Sequence, residues 1–148
     1  FRLFVDNLVH FMMSGRSRSA LRTIVSLARC GKDAPVAARD LAVRSRVPRP
    51  YLSKLMATLA RAGLLRAKRG RGGGYRLRRV PEDIRLLDIF GLFDARRRRF
   101  ACMMGGRVCG GRIPCPAHEA WKPVQDAYAR FLERTTLADL LRPPEAST

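Results

Sequence analysis

Residues 34–80 constrain the fold more than any other part of this chain. The stretch APVAARDLAVRSRVPRPYLSKLMATLARAGLL carries two helical patterns, roughly 35–44 and 48–62, joined by only a few residues. Two short helices with so tight a joint predict a helix-turn-helix. The chain then runs into LLRAKRGRGGGYRLRRV, where Leu64 to Lys68 can pair with Tyr75 to Arg79 as strand, turn and strand. Gly70, Gly72, Gly73 and Gly74 allow the positive φ of a sharp reversal. A helix-turn-helix followed by a basic hairpin is a winged helix. The competing reading of GRGGGY as a phosphate-binding loop fails, because the run lacks a Lys-Ser/Thr ending and no helix follows it.

In the second helical pattern Tyr51, Leu52, Leu55, Met56 and Leu59 recur every three or four residues, while Arg49, Ser53, Lys54 and Thr58 fall largely on the other side. Taken alone this suits an ordinary surface helix. Followed by a wing, it suits a recognition helix entering a major groove amino-terminal end first, which presents Arg49, Tyr51, Ser53 and Lys54. Arg69 and Arg71 bracket the first glycines and belong at the wing tip, within reach of phosphates or a narrow minor groove. Charge agrees: 30 Lys and Arg against 12 Asp and Glu give +18, an attractive potential for double-stranded DNA. The excess of Arg over Lys also carries the mark of GC-rich coding, so the charge decides little alone.

The flanking segments extend this unit. SALRTIVSLA, 19–28, has the spacing of an amphipathic helix, with Cys30 at its end read as core packing. PEDIRLLDIFGLFD, 81–94, reads as one apolar coupling helix opened by Pro81. RRRR, 96–99, reads as a solvated run. Beyond Cys115, Trp121, Val124, Tyr128 and Phe131 mark a long helix whose stripe needs a second surface, most simply the same helix of a second subunit. Pro123 is expected to kink that helix or to move its start past Trp121. TTLADLL then forms a short apolar cap. The fold class expected is mostly α with a small β-hairpin wing: a winged helix-turn-helix plus a long dimerisation helix. The expected divisions are an N-terminal extension at 1–13, either native or an upstream addition, a DNA-binding domain at 14–80 and a coupling helix at 81–94. A cluster-binding loop at 95–118, a dimerisation helix and cap at 119–142 and a tail at 143–148 complete them. No apolar run is long enough to span a membrane, and a cytoplasmic location with no membrane partner is expected. With two histidines and no Ser/His/Asp arrangement, the chain does not read as an enzyme.

CMMGGRVCGGRIPCPAHE places Cys102, Cys109, Cys115 and His118 together, with intervals of six, five and two residues and glycines that let the backbone wrap. Clustered thiols beside an imidazole, with no secretion signal, read as metal ligands or redox groups. Zinc usually takes two short hooks, and only Cys115 and His118 are so spaced. Iron–sulfur clusters take thiolates, sometimes with histidine on one iron. Zinc, an iron–sulfur cluster and a metal-free thiol switch all remain open on spacing.

The elements YLSKLMATLARAGLL, RGRGGGYRL, the three cysteines, and CPAHEAWKPV leading to FLERTTLADLL resemble the iron–sulfur cluster regulator family of winged-helix transcription factors, over about Met13 to Leu141. That resemblance implies a homodimer on a palindromic operator, with one cluster per subunit between the DNA-binding unit and the dimerisation helix. In IscR-like members a 2Fe-2S cluster is held by three cysteines and a histidine, which Cys102, Cys109, Cys115 and His118 match. NsrR-like members hold a 4Fe-4S cluster with an acidic residue from the partner's first helix. No Asp or Glu lies between Asn7 and Lys32 here, so the resemblance favours 2Fe-2S. Two departures stand out: the first Cys interval is one residue longer than in IscR-like members, and Ser53 stands where they carry a glutamate. The implied function is a transcriptional regulator sensing redox state, nitric oxide or iron through its cluster.

Overall fold

A computed structural model describes residues 13–30, 34–94 and 116–143. Helix α1 spans Gly15–Arg29 and so begins four residues before the apolar spacing does. The earlier start is a capping effect: Ser14 Oγ accepts the Ser17 N–H at 3.1 Å, satisfying an amide the helix cannot. α1 buries Ala20, Ile24 and Leu27 together with Ser17 and Thr23. Thr23 Oγ1 donates to the Ser19 carbonyl at 2.8 Å, so that buried hydroxyl keeps a partner. Cys30 departs from expectation. It falls past the buried stripe, is exposed, and its Sγ donates to the Ser26 carbonyl at 3.2 Å instead of packing in the core.

Helices α2, Ala38–Ser45, and α3, Arg49–Arg61, form the helix-turn-helix. Arg46 ends α2 in the left-handed region, at φ 53°. Val47 then turns inward, 3% exposed, and donates its N–H to the Ala42 carbonyl at 3.0 Å. Pro48 and Pro50 set the opening of α3. Leu52, Leu55, Met56 and Leu59 are buried on its inner face.

The wing is an antiparallel hairpin of β1, Leu65–Lys68, and β2, Gly74–Leu77. It is shorter than the expected 64–68 and 75–79 strands, in the register Leu65 with Leu77, Arg66 with Arg76, Ala67 with Tyr75 and Lys68 with Gly74. The hairpin is tied to the body through Val36, whose N–H donates to the Tyr75 carbonyl at 2.8 Å while the Tyr75 N–H returns a bond of 2.9 Å. Gly74 makes this approach possible, since a Cβ there would lie 2.2 Å from the Val36 carbonyl oxygen.

Residues 81–94 do not form the single helix expected of them. Pro81–Asp83 is one 3-10 turn, Ile84 and Arg85 are extended, and α4 begins only at Leu86 and runs to Phe93. The interruption has a long-range cause. The Leu86 N–H donates to the Thr135 carbonyl at 2.9 Å and the Leu137 N–H to the Ile84 carbonyl at 2.7 Å.

Helix α5, His118–Arg134, runs through Pro123 with its start at His118. Proline lies in the second turn on an exposed side of the helix, where it removes a single intrahelical hydrogen bond. Helix α6, Leu137–Leu141, is opened by a capping box between Thr136 and Asp139, in which the Thr136 amide and hydroxyl bonds hold the Asp139 carboxyl below the usual carboxylate range. One hydrophobic cluster joins Ile24, Leu41, Leu55 and Met56 to Ile89, Leu132 and Leu137. The carboxy-terminal helices therefore share the core of the helix-turn-helix. No helix among the described residues is long and apolar enough to cross a membrane.

Candidate nucleic-acid interface and sensing segment

Of the residues expected to read DNA, Arg49, Ser53 and Lys54 are exposed on α3, and Arg69 and Arg71 are exposed in the wing loop. Tyr51 is half-buried and packs against the core cluster, so only part of its ring is available. Ser53 Oγ donates to the Arg49 carbonyl at 3.2 Å, which leaves its lone pairs to accept. The wing loop is held in shape by the Gly73 N–H bond to the Gly70 carbonyl at 2.9 Å, with Gly70 and Gly72 at φ 88° and 69°.

The register exposes residues that the sequence pattern did not single out. Arg66 and Arg76 stand directly opposite each other and both are exposed. With Lys68, Pro35 and Gly74 they line a shallow cavity at the base of the wing. Like charges facing across a strand pair destabilise it. Carboxylates are engaged elsewhere, in Arg39–Asp40, Arg79–Asp88, Lys122–Asp126 and Arg142–Asp139. Among the described residues none of Arg49, Lys54, Arg66, Lys68, Arg69, Arg71 or Arg76 is in an ion pair. Strand alternation in LRAK and GYRL was the available signal, but only the pairing shows which cations face one another.

His118 is the first residue of α5 and is half-buried. Cys102, Cys109 and Cys115 lie outside the described residues, as do the arginine run 96–99, residues 1–12 and the tail from 144. Among the described residues no three His, Cys, Asp or Glu side chains gather as a metal site, so the structure places one member of the expected ligand set.

Along α5, Trp121 is 6% exposed, turned into its own subunit, whereas Val124 and Phe131 are 43% and 44% exposed. Leu92 of α4, at 37%, is a further exposed apolar side chain. Tyr128 stacks on Phe131 with ring centroids 6.4 Å apart. Burial, aided by the negative charge of Asp94, pushes its hydroxyl pKa up to about 12.

The profile of the family described as Rrf2, iron-dependent transcriptional regulator, matches residues 13–143. The chain is 30% identical over 130 residues to the HTH-type transcriptional regulator IscR of Photobacterium profundum, covering 88% of this chain and 75% of that protein. Among solved structures, CymR, the global cysteine regulator of B. subtilis, superposes with a TM-score of 0.74 at 26% identity, over 87% of this chain and 95% of its own. IscR of T. potens superposes with a TM-score of 0.68 at 26% identity, over 92% of each chain. These relatives are regulators and not enzymes. The chain belongs to the Rrf2 family of transcriptional regulators.

Proposed function

We propose that the chain works as a homodimeric, double-stranded DNA-binding regulator whose hold on a palindromic operator follows the state of an iron–sulfur cluster. The observation that carries the DNA half is the set of unpaired cations on α3 and the wing, above all the opposed Arg66 and Arg76. A polyanion between them turns a repulsive pair into two phosphate contacts. Arg49, Ser53 and Lys54 read base edges, with Tyr51 fixing the angle of α3 through its packed half, and Arg69 and Arg71 hold backbone at the wing tip. The exposed Val124 and Phe131 of α5, with Tyr128 stacked on Phe131, and the exposed Leu92 of α4 supply apolar surface for the second subunit. Trp121 supports that surface from inside.

Cys102, Cys109, Cys115 and His118 are the residues to hold the cluster, as 2Fe-2S in preference to 4Fe-4S or zinc. The donor chemistry fits: three thiols and an imidazole are ligands that iron–sulfur centres accept, and the half-buried His118 at the start of α5 is three residues beyond Cys115. Such a group supplies one-electron redox chemistry and lability toward oxidants, nitric oxide or iron shortage. The chain's part is to connect the ligand segment to α4 on one side and α5 on the other. A second reading, a metal-free thiol switch, is favoured by the likeness to CymR, a cysteine regulator.

Anaerobic purification with visible absorption and iron, sulfide and zinc analysis separates these readings, followed by binding to duplexes selected from a random pool. A coloured protein with matched iron and sulfide, whose affinity changes when the metal is stripped, is expected. Equal affinity for the loaded protein and a Cys102/Cys109/Cys115→Ser variant across salt concentrations overturns the sensing reading.

A further inference from the structure

The last described residue before the cysteine-bearing segment is Asp94, and its carboxylate is buried, with 8% of the residue exposed. Its backbone N–H closes α4 on the Phe90 carbonyl at 2.8 Å. Its side chain reaches back about half the length of the chain. Oδ2 accepts the Ser17 hydroxyl proton and the Ser14 N–H, the latter at 3.3 Å, so it sits on the first turn of α1, where the helix dipole favours negative charge. Oδ1 is buried and has no hydrogen-bond partner among the described residues. On the third side stands Tyr128 of α5, which feels the same charge.

A half-satisfied buried carboxylate is a costly way to hold three helices together, since the bare oxygen loses its water with no bond in return. Stability alone does not account for it. Its location does. Asp94 is fixed to α4, bonded to α1 and adjacent to α5, and α4 and α5 are the two elements between which the cysteine-bearing segment runs. α1 in turn packs on α2, α3 and β2, so a shift of its first turn is passed by close-packed side chains to the helix-turn-helix.

We propose that Asp94 is the positioning residue that carries the state of the 95–118 segment to α1, through its bonds to Ser17 and Ser14. The inference rests on the reading of that segment as the sensor. When the segment is held, the carboxylate is held on the first turn of α1. When it is released, the link to Ser17 opens and α1 loses its setting against α2 and α3.

The test compares wild type, Asp94→Asn, Ser17→Ala and Ser17→Thr, each as the full chain, anaerobically loaded with iron and sulfide or stripped with chelator. Two quantities are read: amide exchange of residues 14–18, and affinity for the tightest duplex from a random-sequence selection. In wild type, stripping is expected to speed first-turn exchange at least about fivefold and to change affinity about tenfold, within the usual range of coupling between sites. In Asp94→Asn and Ser17→Ala, exchange is fast in both states and the affinity ratio falls to within about twofold, while the visible spectrum of the loaded protein is unchanged. Ser17→Thr keeps the hydroxyl and restores the wild-type ratio. A purely structural role would lower affinity equally in both states and leave the ratio intact, which overturns the proposal. Wild-type exchange that ignores the metal overturns it too. If exchange responds in wild type and not in Asp94→Asn while affinity never changes, the link stands and the operator-sensing reading fails. Should Asp94→Asn not fold, Ser17→Ala decides, because it keeps the carboxylate.

Discussion

The Leu137 N–H donates to the Ile84 carbonyl at 2.7 Å, and both side chains are fully buried. This contact joins the first residue of α6 to the link between wing and α4, so the carboxy-terminal helices are anchored to the DNA-binding core just past the end of α5. Leu137→Ala removes buried methyl groups from a site hemmed in by backbone bonds and is expected to destabilise the subunit by about 3 kcal/mol. Urea unfolding measures it. A loss under about 1 kcal/mol, the range of a surface change, would mean that the anchor is loose.

Gly74 faces the Val36 carbonyl so closely that no side chain fits, and its φ of 157° is one that L residues avoid. Gly74→Ala is expected to cost about 2 kcal/mol and to break the two bonds between Val36 and Tyr75. Amide exchange at Val36 and Tyr75 should then rise to that of a free hairpin. If both amides stay protected, the wing tolerates the methyl group by sliding, and the close approach is not what holds it.

These two sites show what local pattern could and could not reveal. The helix-turn-helix was legible because Leu52, Leu55, Met56 and Leu59 repeat at helical spacing and the wing because glycines sit between two alternating basic runs. The break at Ile84 and Arg85 was not, because it depends on Thr135 and Leu137, some fifty residues away, and periodicity carries no long-range term. Ser17 lies ahead of the apolar spacing that begins at residue 19. It is 0% exposed because Asp94 folds onto it. Trp121 read as part of an outward stripe, yet it is buried within its own subunit. The stripe is wide enough to face two ways, and only packing divides it. Within the cysteine-bearing segment, the sequence alone speaks for the three cysteines, and the structure fixes only where His118 begins α5.

Arg46 joins α2 to α3 with φ 53°, a conformation that costs a residue with a Cβ about 1–2 kcal/mol. Its side chain is exposed, so nothing in the core depends on it. Arg46→Gly relieves the backbone at a smaller entropic cost and is expected to raise stability by about 1 kcal/mol, seen as an upward shift of the urea midpoint with an unchanged slope. A lower midpoint would show that the arginine side chain contributes more than its backbone costs.

Tyr128 gives the fold a dependence on alkaline pH. The folded chain keeps its hydroxyl proton until about pH 12, against an ordinary value of 10.0, chiefly through burial and then through Asp94. In that window the unfolded chain binds fewer protons than the folded one, so stability falls as pH rises. Below the ordinary value the contribution is fully present. Tyr128→Phe should abolish this part of the alkaline decline and remove the step near 12 from the phenolate absorbance titration. A titration in which that step survives the substitution would assign it to another group.

The wing offers the sharpest separation of binding from stability. Arg66 and Arg76 oppose each other in the free protein, and replacing one of them removes a repulsion that weakens the hairpin by a few tenths of a kcal/mol. Arg76→Thr, with a residue that suits a strand, is therefore expected to leave the subunit slightly more stable and to bind DNA more weakly. Each phosphate contact contributes about 0.9 to the slope of log affinity against log salt. Arg76→Thr should lower that slope by about 1, and Arg69→Gln with Arg71→Gln by about 2, on selected and random duplexes alike. Thermal unfolding and salt-dependent titration of the same preparations decide the matter. An unchanged slope with a loss of stability would make these arginines props of the hairpin, whereas a shallower slope with stability kept or raised means that the wing holds an unfavourable charge pair in readiness for a phosphate backbone.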